Sequence, residues 1–234
     1  MKPAIKPVLM IVTSHAQLGN TGKPTGIWAE ELTTPFYALV DAGFEVTLAS
    51  PLGGLPPFAE GSVKEPAEAN EGSVKRFLQD AAAMVKFKAT HTTASVKAED
   101  FSAVFLPGGH GTMWDTATDP HTARLVADSF NSGKPTASVC HGPAGIVQAL
   151  RPDGKSIVFG KKVNAFTNEE ETAAGLMDVV PFHLETKLRE LGGIFEHGPM
   201  WGAYAVRDGN IITGQNPASS ALVAQHVVAA LQGK

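Results

Sequence analysis

One cysteine, Cys140, is all the thiol chemistry that this chain of 234 residues carries. An intramolecular disulfide is excluded, and with it a cross-linked secreted scaffold, so a reducing compartment is expected and the cytoplasm is the reading. Long apolar runs are missing as well, since none approaches the roughly 20 residues that a membrane-spanning helix needs. The run Pro7-Val8-Leu9-Met10-Ile11-Val12 is too short for a signal peptide and gives way to polar Thr13, Ser14 and His15, so it reads as a buried first strand. Basic blocks are absent: 19 Lys and Arg against 23 Asp and Glu leave a formal charge of −4, which attracts neither nucleic acid nor an anionic membrane surface. The histidines show no metal-ligand spacing, which argues against a metal centre. Repeats, heptads and low-complexity tails are also lacking. What remains is an ordinary globular balance, 43% hydrophobic and 18% charged, enough for one sizeable core.

Along the chain, strand-like and helix-like segments alternate. A strand over residues 7–14 is followed by a helix from Ile27 to Asp41, stopped by Ala42-Gly43, and by a strand from Phe44 to Ser50. Glycine and proline then crowd residues 51–68, an excursion from the core. Val74, Phe77, Leu78, Ala81, Met84 and Val85 recur at three- and four-residue steps and predict one helix over Gly72–Phe87. A strand over Ser102–Leu106 runs into Pro107-Gly108-Gly109-His110-Gly111, a helix covers Thr122–Asn131, and the strand Thr136–Val139 leads to Cys140. Further on come a strand over Lys162–Phe166, a helix over Pro181–Leu191, a hairpin turning at Asp208-Gly209-Asn210 and a closing helix over Pro217–Leu231. Such alternation predicts an α/β fold with a parallel sheet and helices on both faces. Sites in these sheets form at the carboxyl ends of the strands, where Ser14, residues 108–111 and Cys140 would be neighbours. The expected organisation is a single domain, 1–234, with an insertion at about 51–98.

Cys140 stands where a strand gives way to His141, Gly142 and Pro143. A lone cysteine is ordinarily a small buried hydrophobe, but such a filler does not need small residues and a histidine directly behind it, whereas a nucleophile elbow does. Free cysteine titrates at about 8.5, so a nucleophile needs help to ionise. A helix starting at Gly142-Pro143 would supply it through its unpaired N–H groups and dipole, and the His141 imidazole through proton transfer.

Taken in order, the motifs Thr25-Gly26-Ile27-Trp28-Ala29-Glu30-Glu31, Ala42-Gly43-Phe44-Glu45-Val46, Pro107-Gly108-Gly109-His110-Gly111, Val139-Cys140-His141-Gly142-Pro143-Ala144, Phe166-Thr167-Asn168 with Glu169 to Glu171, and Thr213-Gly214-Gln215-Asn216-Pro217-Ala218-Ser219 resemble the ThiJ/PfpI superfamily over nearly the whole chain. Within it, the chain is most similar to the glutathione-independent glyoxalase III branch that includes the thirty-one-kilodalton heat-shock chaperones. The resemblance implies a flavodoxin-like three-layer sandwich with a mostly parallel central sheet and a nucleophile elbow. It matches the family nucleophile to Cys140, the triad histidine to His141, the triad acid to the run Glu169-Glu170-Glu171 with Glu171 the best fit, and a glutamate against the sulfur to Glu31. Gly109 and His110, with the His141 N–H, would form an oxyanion hole, and Gly111 would complete the pocket loop. Glu30, about 100° around the helix from Glu31, would face water. Trp28, Trp114 and Trp201 would either wall the pocket or pack in the core.

The implied activity is a cofactor-free conversion of methylglyoxal or a related 2-oxoaldehyde to a 2-hydroxy acid such as lactate, through a hemithioacetal on Cys140. The implied partner is a small reactive aldehyde, and the implied assembly a homodimer. Two alternatives use the same residues: a cysteine peptidase or amidase, and a stress chaperone or redox sensor whose thiol is oxidised.

Overall fold

The computed structural model describes residues 6–234. In chain order the regular elements are β1 (Val8–Ile11), α1 (Ala29–Asp41), β2 (Val46–Ser50), α2 (Gly72–Gln79), α3 (Ala81–Lys88), β3 (His91–Thr92), β4 (Ala103–Leu106), α4 (Pro120–Asn131), β5 (Thr136–Val139), β6 (Lys162–Val163), α5 (Asn168–Ala173), α6 (Leu184–Glu190), β7 (Ile194–Phe195), β8 (Ala205–Asp208), β9 (Ile211–Gly214) and α7 (Ser220–Leu231). Seven strands form one sheet in the order β3-β2-β1-β4-β5-β9-β8. Every pairing in it is parallel except the β8–β9 hairpin. β6 and β7 make a separate two-stranded parallel sheet.

Buried on both faces, the central strands sort their side chains by alternation. Leu9 and Ile11 of β1 enter one core with Leu125 and Val126 of α4 and Leu184 and Leu188 of α6. Val8, Met10 and Val12 enter the other with Leu32, Phe36 and Leu39 of α1, and Val223 and Val227 of α7. The result is the three-layer sandwich expected from the alternation of elements. No helix among the described residues is long and apolar enough to cross a membrane.

The structure departs from the sequence reading in four places. The helix expected over Gly72–Phe87 is two helices, because Asp80 leaves the helical conformation and its carboxylate caps the second one, accepting from the N–H groups of Ala82 and Ala83 at 3.0 and 3.1 Å. The excursion expected over 51–68 is not set apart from the core: Phe58 makes a parallel bridge with Ile27, and its ring stacks on that of Phe87, centroids 4.6 Å apart. Further along the 51–98 segment, β3 pairs with β2 through Ala49↔His91 and Ser50↔Thr92. Phe77 and Phe87, also from this segment, pack edge to face 5.6 Å apart inside the second core. The strand expected to run to Phe166 ends at Val163, and its partner β7 lies in a stretch with no strand signal. Finally, no α-helix follows Cys140. Residues Gly142–Ile146 form a 3₁₀ turn, as suits a segment with two glycines and a proline, which propagate a helix poorly.

Candidate active site

Cys140 sits at the carboxyl end of β5 with φ +59°, a left-handed conformation that a side-chain-bearing residue holds at a cost of order 1–3 kcal/mol. Sheet hydrogen bonds fix it there: its N–H donates to Gly214 O and its carbonyl accepts from Phe166 N–H, both at 2.9 Å. Close approach of the next strand end requires glycine, since a Cβ on Gly142 would overlap the Leu106 carbonyl oxygen. This bend turns the sulfur into a cavity of about 330 Å³. The thiol is buried but not sealed in hydrocarbon. Cys140 Sγ lies 3.3 Å from His141 Nδ1, the His141 backbone N–H is directed at the sulfur, and the Glu31 carboxyl is within hydrogen-bonding reach.

Glu171 holds two imidazoles at once. Its Oε2 accepts from His141 Nε2 at 2.7 Å and its Oε1 from His110 Nε2 at 2.8 Å. A carboxylate accepts only, so both histidines carry their proton on Nε2, and His141 is left with an unprotonated Nδ1 facing the thiol. Burial alone would raise the Glu171 pKa, but the two imidazoles more than offset it and hold the carboxyl well below the usual range. Complete burial, followed by the neighbouring His110, lowers His141 to about 4, so the ring is neutral at pH 7.

The helix that presents Glu171 begins with a capping box in which Thr167 and Glu170 exchange hydrogen bonds. A rotation of about 100° per residue separates the three glutamates. Glu169 is exposed. Glu170 is fully buried on another side, its Oε1 accepting from Trp201 N–H at 2.9 Å, Gln215 Nε2 at 3.0 Å and Asn216 Nδ2 at 2.8 Å. This anchor was not singled out in the sequence; the capping pattern Thr167-x-x-Glu170 was its one available signal.

Glu31 and Glu30 divide as helix geometry requires, Glu31 buried and Glu30 exposed. Glu31 Oε2 accepts from Gly108 N–H at 2.9 Å, while Oε1 has no nitrogen or oxygen partner among the described residues. Burial raises its pKa from 4.5 to about 8, so at neutral pH it is a protonated acid able to donate to the sulfur. The thiol is raised too, first by burial and then by Glu31. This corrects the expectation of a resting thiolate: the helix whose dipole was to lower the pKa is a five-residue 3₁₀ turn, and desolvation wins.

Among the loop residues, Gly109 and His110 line the cavity. Gly109, at φ +101°, has no room for a Cβ against Gly26 O and Trp28 N. Gly111 does not face the pocket; its Cβ position lies 2.8 Å from His15 O and the Thr13 side chain, so it serves close packing on the loop that follows β1. Trp28 and Trp201 wall the cavity with Phe166. Trp114 instead stacks on His15, centroids 5.3 Å apart. The 51–98 segment contributes no lining residue and buttresses from behind, where Pro57 O accepts from Ile27 N–H at 2.9 Å.

Ligand atoms of His110, His141 and Glu171 lie within 4.8 Å of one another, close enough to converge on a metal ion. Chain spacing conceals this cluster, because residues 110, 141 and 171 meet only through the strand ends. Both imidazole contacts are equally the hydrogen bonds that set the tautomers.

Known proteins match this chain along nearly its full length. The chain is 26% identical to Glyoxalase 3 of Candida albicans, over 97% of its own length and 99% of the relative's. It is 28% identical to the Glutathione-independent glyoxalase HSP31 of Saccharomyces cerevisiae, with 98% and 99% covered. Among solved structures, the Rapid Encystment Protein 24 kDa of Francisella tularensis superposes with a TM-score of 0.91 at 33% identity, covering 97% of this chain and 99% of that one. The glyoxalase III structure from Candida albicans gives 0.87 at 27% identity, with 96% and 97% covered. Since the model of the DJ-1/PfpI family matches residues 25–230, the chain belongs to that family.

Proposed function

We propose that this protein is a cysteine-dependent, glutathione-independent glyoxalase of the glyoxalase III type, acting in the cytoplasm as a homodimer on small 2-oxoaldehydes. The observation that carries the reading is a thiol 3.3 Å from an unprotonated imidazole nitrogen whose opposite nitrogen is 2.7 Å from a carboxylate. It is supported by full-length similarity to proteins named glutathione-independent glyoxalase.

Cys140 Sγ attacks the aldehyde carbon while its proton passes to His141 Nδ1, and Glu171 stabilises the imidazolium that forms. The hemithioacetal oxygen is met by backbone N–H groups of the 109–110 loop and of His141. Once the thiol proton has passed on to the hemithioacetal oxygen, His141 is again a neutral base and moves the hydrogen from the former aldehyde carbon through an enediol to the neighbouring carbon. The first carbon is thereby oxidised to a thioester and the second reduced to a carbinol. Water hydrolyses the thioester, releasing the 2-hydroxy acid and the thiol. One water is consumed, and the redox change is internal to the substrate.

The alternatives gain no specific observation. A cavity of about 330 Å³ suits a small molecule rather than an extended peptide, and a thiol with a raised pKa oxidises less readily than a resting thiolate. The test follows methylglyoxal loss and lactate formation without glutathione. Cys140→Ser is expected to lose at least about a thousandfold in turnover; equal activity in the variant ends the proposal.

A further inference from the structure

Beside the reactive groups, the cavity is lined by three aromatic side chains, Trp28, Phe166 and Trp201. Phe166 packs between a reactive group and a second aromatic, its ring centroid 4.5 Å from that of His141 and 5.6 Å from that of Trp201.

Trp201 is held in an unfavourable way. Its backbone has φ +62°, the only non-glycine residue besides Cys140 with a positive φ among the described residues, and 48% of its surface is exposed. Burial of the indole therefore does not account for the strain. What fixes the residue is its N–H bond to Glu170 Oε1, the fully buried carboxyl that also gathers Gln215 and Asn216. The framework sets the indole in the lining of the cavity that also holds the thiol.

The space is larger than methylglyoxal requires. A cavity of about 150 Å³ holds benzene, so a bonded heavy atom needs at most about 25 Å³, and methylglyoxal with five of them fills about 125 Å³, less than half of the cavity of about 330 Å³. An aryl 2-oxoaldehyde with ten non-hydrogen atoms, such as phenylglyoxal, fills about 250 Å³ by the same measure and is still accommodated.

We propose that Trp28, Phe166 and Trp201 form a subsite for the carbon substituent of the 2-oxoaldehyde, and that aryl-substituted members of the class are its preferred substrates. This inference rests on the reading of Cys140 as the group that adds the aldehyde. The aldehyde carbon bonds to sulfur, the adjacent ketone carbon receives the transferred hydrogen, and the ring on that carbon packs on the indole without changing. Phenylglyoxal and one water give mandelate, the same internal redox change that gives lactate from methylglyoxal. Trp201 is specificity-determining and Glu170 is the positioning residue behind it.

The experiment compares kcat/KM for phenylglyoxal and methylglyoxal in the parent, in Trp201→Gly, which keeps the left-handed backbone accessible, and in Trp201→Phe. The parent is expected to favour phenylglyoxal, Trp201→Gly to lower the phenylglyoxal-to-methylglyoxal ratio about tenfold, and Trp201→Phe to restore most of it. A parent that favours methylglyoxal, or a ratio unmoved by Trp201→Gly, overturns the subsite. Saturation-transfer NMR with acetophenone and acetone, which carry no aldehyde, reads the subsite without turnover. Acetophenone is expected to show transfer that acetone lacks and that Trp201→Gly weakens; equal signals overturn the inference. If acetophenone binds in this way while neither aldehyde is consumed, the proposed reaction fails and the subsite stands.

Discussion

Glu31 and Glu171 are two buried glutamates beside one thiol, and they differ in charge because they differ in partners. Glu171 receives two imidazole N–H groups, whereas Glu31 receives a single backbone N–H and keeps its proton up to about pH 8. A raised acid makes a signed prediction for stability. Between 4.5 and about 8 the folded protein retains a proton that the unfolded chain has released, so stability falls as pH rises through that window, by about 1.4 kcal/mol per pH unit. At pH 7 the accumulated loss is on the order of 3 kcal/mol. Glu31→Gln keeps an acceptor for Gly108 and removes the titration, so it is expected to melt above the parent, with a gap that is near zero at pH 4 and widens towards pH 8. Calorimetry across that range checks it, and a gap independent of pH would refute the assignment. Turnover by the parent should have a plateau bounded by His141 near 4 and Glu31 near 8, and Glu31→Gln should lack the alkaline limb. Much of this was legible in the sequence: Cys140, His141, Glu31 and Glu171 stand in motifs, and the 100° helix step separates Glu31 from Glu30. The direction of the thiol shift was not, because desolvation depends on what surrounds a group in space.

At the scale of elements, the readings that failed share a cause. The apolar steps from Val74 to Val85 continue across Asp80, so periodicity describes one helix where the chain makes two. Side-chain capping ends a helix without disturbing the apolar pattern, and a pattern of hydrophobicity does not register it. Asp80 also accepts from Tyr37 Oη at 3.0 Å, joining the break to α1. Asp80→Ala is expected to lower stability by about 1–2 kcal/mol while leaving kcat within twofold, since this junction contributes nothing to the cavity lining. Urea unfolding together with the methylglyoxal assay reads both. An activity loss beyond tenfold would show that the α2–α3 junction reaches the site. The β6–β7 sheet escaped for another reason: two residues per strand are too few to produce an alternation.

For the whole molecule, a parallel sheet with helices on both faces was implied by alternation, and the meeting of the 108–111 loop with Cys140 at the carboxyl ends followed from it, whereas Ser14, expected beside them, does not line the cavity. We propose that the chain unfolds as one unit, since the 51–98 segment supplies both an edge strand and Phe77 and Phe87 to a shared core. Calorimetry should give a single transition, and a separate early transition would identify that segment as an independent body. The site itself draws Glu31 from α1, the 108–110 loop from the end of β4, Cys140 from β5 and Glu171 from α5. These parts come from residues 31 to 171, so during biosynthesis the thiol is made before its orienting carboxylate. Until that last contributor arrives, the nascent polypeptide carries a cysteine without the partner that sets its imidazole, and the chemistry is switched on by completion of the fold.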